Sequence, residues 1–264
     1  METFQADTIA VSADGARGSI TLNRPDKRNP LGAVTLAELI DAAHWFDARP
    51  QVKVVVAAGN GGSFCAGADL AAFAVAADGV AAMRDAADAG RRMAEAIEAM
   101  RAVTVVRLHG HCVGGGLVLA AACDLRVAAE DTRFRIPELD LGIPLTWGGI
   151  PRLVREIGPA LTKELVMTCR GFDAAEAQRW GFLNRVVPAA GLDAAVEEIA
   201  GALADKSAVT LAGTKRHVNA VTEGMVGTAR SWNDADCLVT AVHDPESQAA
   251  AMAYLQRRQE TARN

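Results

Sequence analysis

No basic stripe, no long apolar run and no paired-cysteine motif occurs in this 264-residue chain, and aromatic residues make up only 5% of it. The formal charge is -5 with both signs interspersed, so neither nucleic acid nor an anionic membrane is an expected partner. No stretch reaches the ~18 consecutive apolar residues of a membrane span. The opening METFQADTIA has no basic segment followed by an apolar one, which argues against a secretory signal. The cysteines (Cys65, Cys112, Cys123, Cys169 and Cys237) are odd in number and widely spaced, with no metal-binding spacing. Reduced thiols in a cytoplasmic protein are the expectation, with most of them small core residues.

Half of the residues are hydrophobic, and alanine and glycine are abundant. That composition supports one large core, or one core with an appendage, and suits closely packed helices and tight turns. GSITLN at 18–23 reads as a strand that stops at Arg24-Pro25-Asp26. Leu36, Leu39, Ile40, Ala43 and Phe46 recur at helical spacing across 31–48. VKVVVAA at 52–58 has the character of a buried strand, and a small-residue loop, SFCAGADL, follows it at 63–70. Residues 75–80 look irregular, and 83–100 carry a strong helical pattern.

TVVRL at 104–108 reads as the next buried strand, 109–116 as a glycine-rich turn and 117–123 as a buried helix. A short strand is expected at 125–128. The recurring order of strand, glycine loop and helix indicates an α/β protein with a parallel sheet. Past Gly158 the expectation is helical: 161–167, 174–180, 192–203, 208–221 and 249–258, with a short extended piece at Val186-Val187-Pro188.

Two loops carry chemistry. Phe64 to Leu70 follows a buried strand, where a backbone N–H near a helix start is left unpaired and can receive an anion. His111 to Leu117 has the same setting, and its run of glycines lets a ligand approach the backbone closely. It lacks both the Gly-Lys-Ser/Thr ending of a phosphate loop and the GxGxxG spacing, which excludes a nucleotide site. Each loop taken alone is also compatible with an ordinary turn.

The stretches ITLNRPDKRN at 20–29, SFCAGADL at 63–70, HGHCVGGGLVLAAACDLRVA at 109–128 and IPELDLGIPLTWGGIPRLVREIG at 136–158 occur in order. FDAAEAQRWGFLNRVVP at 172–188 and AYLQRRQ at 253–259 follow them. On these the chain resembles the crotonase (enoyl-CoA hydratase/isomerase) superfamily over nearly its whole length. The resemblance implies a spiral of ββα turns with an acyl-CoA site over 1–200. It also implies a helical region at 201–264 that drives assembly into a homotrimer, or a hexamer of two stacked trimers. It implies an acyl-CoA substrate, coenzyme A being part of that substrate, with no separate cofactor and no metal. The oxyanion hole falls on the N–H groups of Ala68 and Gly115, donors fixed before charge develops on the substrate. Contacts to CoA fall on Lys27, Arg28, Ala66, Asp69, Leu70, Tyr254 and Arg257.

Family hydratases hold their water with two glutamates. One of those positions is Glu138 here, and the other is Val118. Concerted water addition needs one group to take a proton and another to deliver one. A lone Glu138 can instead abstract a proton at C2 or C4 and return it elsewhere, so double-bond isomerisation is preferred. Hydration, other enolate chemistry and a non-catalytic acyl-CoA binder stay open. Burial beside Val118 and Trp147 is expected to raise the Glu138 pKa towards neutrality. Asp140, His109, His111, Cys65 and Cys112 are read as structural, and Asp124 as a hydrogen-bonding residue at a helix-to-strand turn. Thr146 and Trp147 are candidates for the acyl pocket lining.

Overall fold

Residue alternation sets the first strands. Ile9, Val11 and Ala13 turn inward while Ala10 and Asp14 face out, the period of a half-buried antiparallel strand. The computed structural model describes residues 1–69, 79–231 and 233–263. Strands β1 (Glu2–Phe4), β2 (Ile9–Asp14) and β3 (Arg17–Leu22) form an antiparallel meander at one edge of a long sheet. Four parallel strands continue it: β4 (Val54–Gly59), β5 (Val103–Leu108), β7 (Leu125–Ala129) and β10 (Arg185–Val187). Val54, Val55, Val105, Val106, Val127 and Ala128 are fully buried, as expected of parallel strands covered on both faces.

A second, small sheet lies beside the first. It contains β6 (His111–Val113), β8 (Arg133–Arg135) and β9 (Phe172–Asp173), and a single bridge from Cys65 to Cys112 extends it. The chain therefore winds as a spiral. Strand β5 of the long sheet is followed by β6 of the small one and then helix α3 (Gly115–Ala122). Strand β7 is followed by β8 and then α4 (Gly149–Thr168). These are the ββα turns that the resemblance implied. Helices α1 (Ala33–Asp47) and α2 (Val80–Ala99) pack on one another over the same core.

Several boundaries differ from expectation, each for a local reason. The turn expected at 109–116 contains β6, a strand of only three residues whose partner β8 lies more than twenty positions away. The helix expected at 161–167 begins at Gly149, because Gly158 takes φ 78° and ψ 165° and Pro159 starts the second segment. A glycine free to adopt that conformation and a proline that needs no N–H partner at a helix start make a bent helix from an apparent stop signal. Between helices α5 (Ala174–Arg179) and α6 (Leu192–Ala204) the extended piece expected at 186–188 is β10, which pairs in parallel with β7, whereas β9 before α5 was not expected. Leu70 and most of the irregular segment lie outside the described residues.

The last helices pack back onto this body. Lys215 of α7 (Ala208–Met225) is buried, pairs with Asp124 at 2.8 Å and donates to the Ala102 carbonyl at 3.0 Å. Asp236 of α8 (Asp234–His243) pairs with Arg84 of α2 at 2.7 Å. Helix α9 (Pro245–Arg263) lies on the 3-10 turn Leu139–Leu141, so closely that a Cβ on Gly142 would stand 2.1 Å from the Ser247 carbonyl oxygen.

Candidate active site

Two ladders hold the loop after β4. On one side, Phe64 and Cys65 donate to the His109 and His111 carbonyls, and Val113 donates back to Cys65. On the other, Ala66 donates to Arg28, Leu31 donates to Gly67, and Asp69 donates to Leu31. This parallel bridge uses the Gly67 carbonyl and the Asp69 N–H. The Ala68 N–H points away from Leu31 and meets no acceptor among the described residues. Asn29 ties the whole loop together. Its side chain accepts from Arg24 N–H and donates to the carbonyls of Asn60, Ser63 and Phe64.

Gly115 opens α3, so its N–H has no intrahelical partner. Ala68 and Gly115 both line one small recess. A Cβ on Gly67 would stand 3.8 Å from the Gly115 nitrogen and 2.9 Å from the Val113 carbonyl oxygen. Gly67 has φ +95°, and glycine alone meets both its conformation and this close approach.

Glu138 enters from the segment after β8. Its carboxyl lies against Gly114, where a Cβ would come within 2.4 Å of Oε1. Oε2 is buried with no hydrogen-bond partner among the described residues. Burial pushes the pKa up from 4.5 to about 7, and the residue's own backbone N–H pulls it partly back. Among the described residues, no charged neighbour contributes to that shift. Val118 is fully buried, and with Glu138 it lines the same small recess.

The site has a wide end and a narrow end, and both Ala68 and Glu138 belong to each. The wide end is a cavity of about 610 Å³ that also takes in Arg28, Ala66, His111, Arg133 and Tyr254. The narrow end is about 30 Å³ and is lined by Gly115, Val118, Thr146, Trp147 and Leu238 among others. Two adjacent donors for an oxygen anion, beside one neutral-range carboxyl, can stabilise an enolate and carry its proton.

The matching family model, enoyl-CoA hydratase/isomerase, covers residues 14–262. The chain belongs to that family. It is therefore an enzyme of the crotonase superfamily, and an acyl-CoA substrate is consistent with that membership. The mevalonyl-coenzyme A hydratase sidH of Aspergillus fumigatus is 38% identical to it, over 71% of this chain and 69% of that protein. A peroxisomal Delta(3,5)-Delta(2,4)-dienoyl-CoA isomerase of Arabidopsis thaliana is 30% identical, over 89% of this chain and 90% of the other. The crystal structure of an enoyl-CoA hydratase from Mycobacterium avium subsp. paratuberculosis superimposes with a TM-score of 0.84 at 26% identity. It covers 96% of this chain and 97% of that one.

Among the residues singled out for this family, Arg28, Ala66, Ala68, Glu138 and Tyr254 meet on the wide cavity, and Gly115 on the recess. Lys27, Asp69 and Arg257 do not line either space. Asp69 instead pairs with Arg24 at 3.1 Å. Leu70 lies outside the described residues. Asp140 pairs with Arg135 at 2.7 Å, and Asp124 holds the Thr104 N–H and hydroxyl, both structural as expected. The His109 ring is occupied by the Gly61 carbonyl and Arg107, and burial lowers its pKa. Burial raises the Cys65 thiol to about 12 and the Cys112 thiol well above its usual value, which suits packing and not nucleophilic attack.

Residues that carried no sequence signal also matter. Asn29 is one. Arg152 is another: fully buried, it donates from Nη1 to the Trp147 and Gly148 carbonyls and from Nη2 to Glu98 at 2.5 Å. Only an apolar face interrupted by a charge at 152 could have flagged it.

Proposed function

We propose that this enzyme moves the double bond of an enoyl-CoA thioester, with Glu138 as its sole proton carrier and the Ala68 and Gly115 N–H groups as its oxyanion hole. The Glu138 carboxylate takes a proton from C2 of a 3-enoyl thioester. The electron pair passes to the thioester oxygen, where the two N–H groups receive it. The carboxylic acid then returns the proton to C4, and the double bond is left between C2 and C3. No atom is gained or lost, and no separate cofactor takes part. The CoA portion occupies the wide cavity beside Arg28, Ala66 and Tyr254, with Lys27, Asp69, Leu70 and Arg257 as outlying contacts.

One observation carries this reading: a buried carboxyl near pKa 7 with no second carboxylate among the described residues of the recess. A group that must first accept and later donate the same proton works best when both of its forms are accessible at neutral pH. Water addition needs a second polar group on the attacking water, and Val118 offers none.

Hydratase-named relatives favour hydration as the second reading. Assaying one preparation with a 3-enoyl-CoA and with crotonyl-CoA separates the two. Isomerisation that greatly exceeds hydration supports the proposal, and the reverse ratio defeats it. Binding of either thioester with no turnover of both would mark a non-catalytic binder.

Assembly into a homotrimer or hexamer belongs to the same proposal. Val218, Val221 and Met225 recur on one exposed face of α7, an apolar strip suited to another subunit. Light scattering on the purified protein tests it. No helix among the described residues is long and apolar enough to cross a membrane, and a cytoplasmic location is part of the proposal.

A further inference from the structure

We infer that Trp147 is a fixed end wall of the acyl recess and restricts this enzyme to short acyl groups. The inference rests on placing the thioester between Ala68 and Gly115.

A CoA moiety is large and polar, and only the 610 Å³ side of the site can take it. Ala68 and Glu138 border both spaces, so a thioester held between them sends its acyl group into the recess of about 30 Å³. Trp147 lines that recess. Its indole is pressed between two glycines. A Cβ on Gly115 would fall 2.3 Å from one ring carbon, and a Cβ on Gly90 of α2 would fall 1.9 Å from another. The ring has no room to withdraw towards α2 and none to swing past the oxyanion donor.

The backbone beneath the ring is equally constrained. Trp147 has φ +63° and Gly148 φ +66°, a left-handed pair that a bulky residue rarely adopts. Such a conformation persists only where the surroundings over-determine it. Here Arg152 holds both carbonyls from within the core, and Asp234 of α8 accepts from the Gly148 N–H at 2.8 Å. Arg152 is itself anchored by Glu98 of α2. Three separate elements therefore fix the ring, so it acts as a wall and not as a flap. A short unbranched acyl chain is the class that fits, and longer chains meet the indole edge.

Calorimetric titration with butyryl-, octanoyl- and dodecanoyl-CoA tests this without any turnover, so a failed isomerase assignment leaves the result readable. The wild-type protein should bind butyryl-CoA at least about tenfold more tightly than dodecanoyl-CoA. Trp147→Gly keeps the backbone conformation available and removes the ring, and it should abolish or invert that ranking. Trp147→Phe should fall between. Leu238→Ala opens the same recess from α8 and should shift the ranking in the same direction if the glycine variant does not fold. Equal affinity for the three ligands in the wild type overturns the inference. So does a ranking unchanged in every folded variant.

Discussion

Glu138→Gln removes a proton carrier and a buried charge in one step, and the two effects have opposite signs. Burial raises the Glu138 pKa from 4.5 to about 7, and each pH unit of such a difference is worth about 1.4 kcal/mol. Keeping this carboxylate ionised in the fold therefore costs about 3 kcal/mol at alkaline pH. The folded pKa lies above the unfolded one. The group's relative contribution is thus most favourable below about pH 4.5, is lost as pH rises to about 7, and is flat beyond. Glutamine is neutral at every pH and of similar volume, so the variant escapes that loss. It should be more stable than the parent at pH 8 by up to about 3 kcal/mol, and the difference should shrink towards pH 5. Isomerase activity should fall by roughly 10²–10⁴-fold, because the same side chain serves both proton steps. Urea unfolding of both proteins at pH 5 and pH 8, beside a 3-enoyl-CoA assay, gives the two readings. Loss of activity with a stability difference independent of pH would refute the assignment of a raised pKa. A stable variant of undiminished activity would refute the role of Glu138 altogether.

Four further outcomes follow from the geometry. In the parent enzyme kcat/KM should rise about tenfold per pH unit up to near pH 7 and then level, since the ionised Glu138 is the active form; an initial-rate pH profile checks this. Ala68→Pro deletes one oxyanion N–H and should lower kcat by roughly 10²–10³-fold while CoA-ester binding measured by calorimetry persists. Arg152→Met strips a donor from the Trp147 and Gly148 carbonyls and leaves Glu98 paired with Arg155 alone, and should cost about 1–3 kcal/mol in chemical unfolding. Val118→Glu places a second carboxyl in the recess and should raise crotonyl-CoA hydration by at least about tenfold, seen in the same spectrophotometric assay that measures isomerisation.

Much of this architecture could be read from residue order. VVVAA and TVVRL are runs too apolar for anything but buried strands, and the glycines after them mark where the spiral turns towards the small sheet. Of the N-terminal meander only β3 was legible, because Ala10, Ala13 and Ser12 blur the alternation that Ile9 and Val11 begin in β2. Strand β6 is too short to show a period. The first half of α4 was hidden by Gly149, Pro151 and Gly158, residues that break helices in isolation and here open or bend one. At the site, Ala68, Gly115 and Glu138 were identified through motifs, and the structure brings them to one place. The Trp147 wall was not legible in the same way. Its closeness to Gly90 depends on how α2 crosses α3, which no local pattern encodes. Nor does the sequence show that Arg152 turns inward to hold the Trp147 loop, since a single arginine at helical spacing reads as a solvated charge.

In the proposed reaction one buried carboxyl, with no second acid, carries both proton steps. The most direct measurement of this is proton exchange in deuterated water during turnover of a 3-enoyl-CoA, with crotonyl-CoA hydration followed in the same preparation. Isomerisation should proceed with partial retention of the substrate proton through Glu138, and hydration should be at least about a hundredfold slower. Hydration as fast as isomerisation, in an enzyme with valine at 118, would contradict the single-carboxyl reaction.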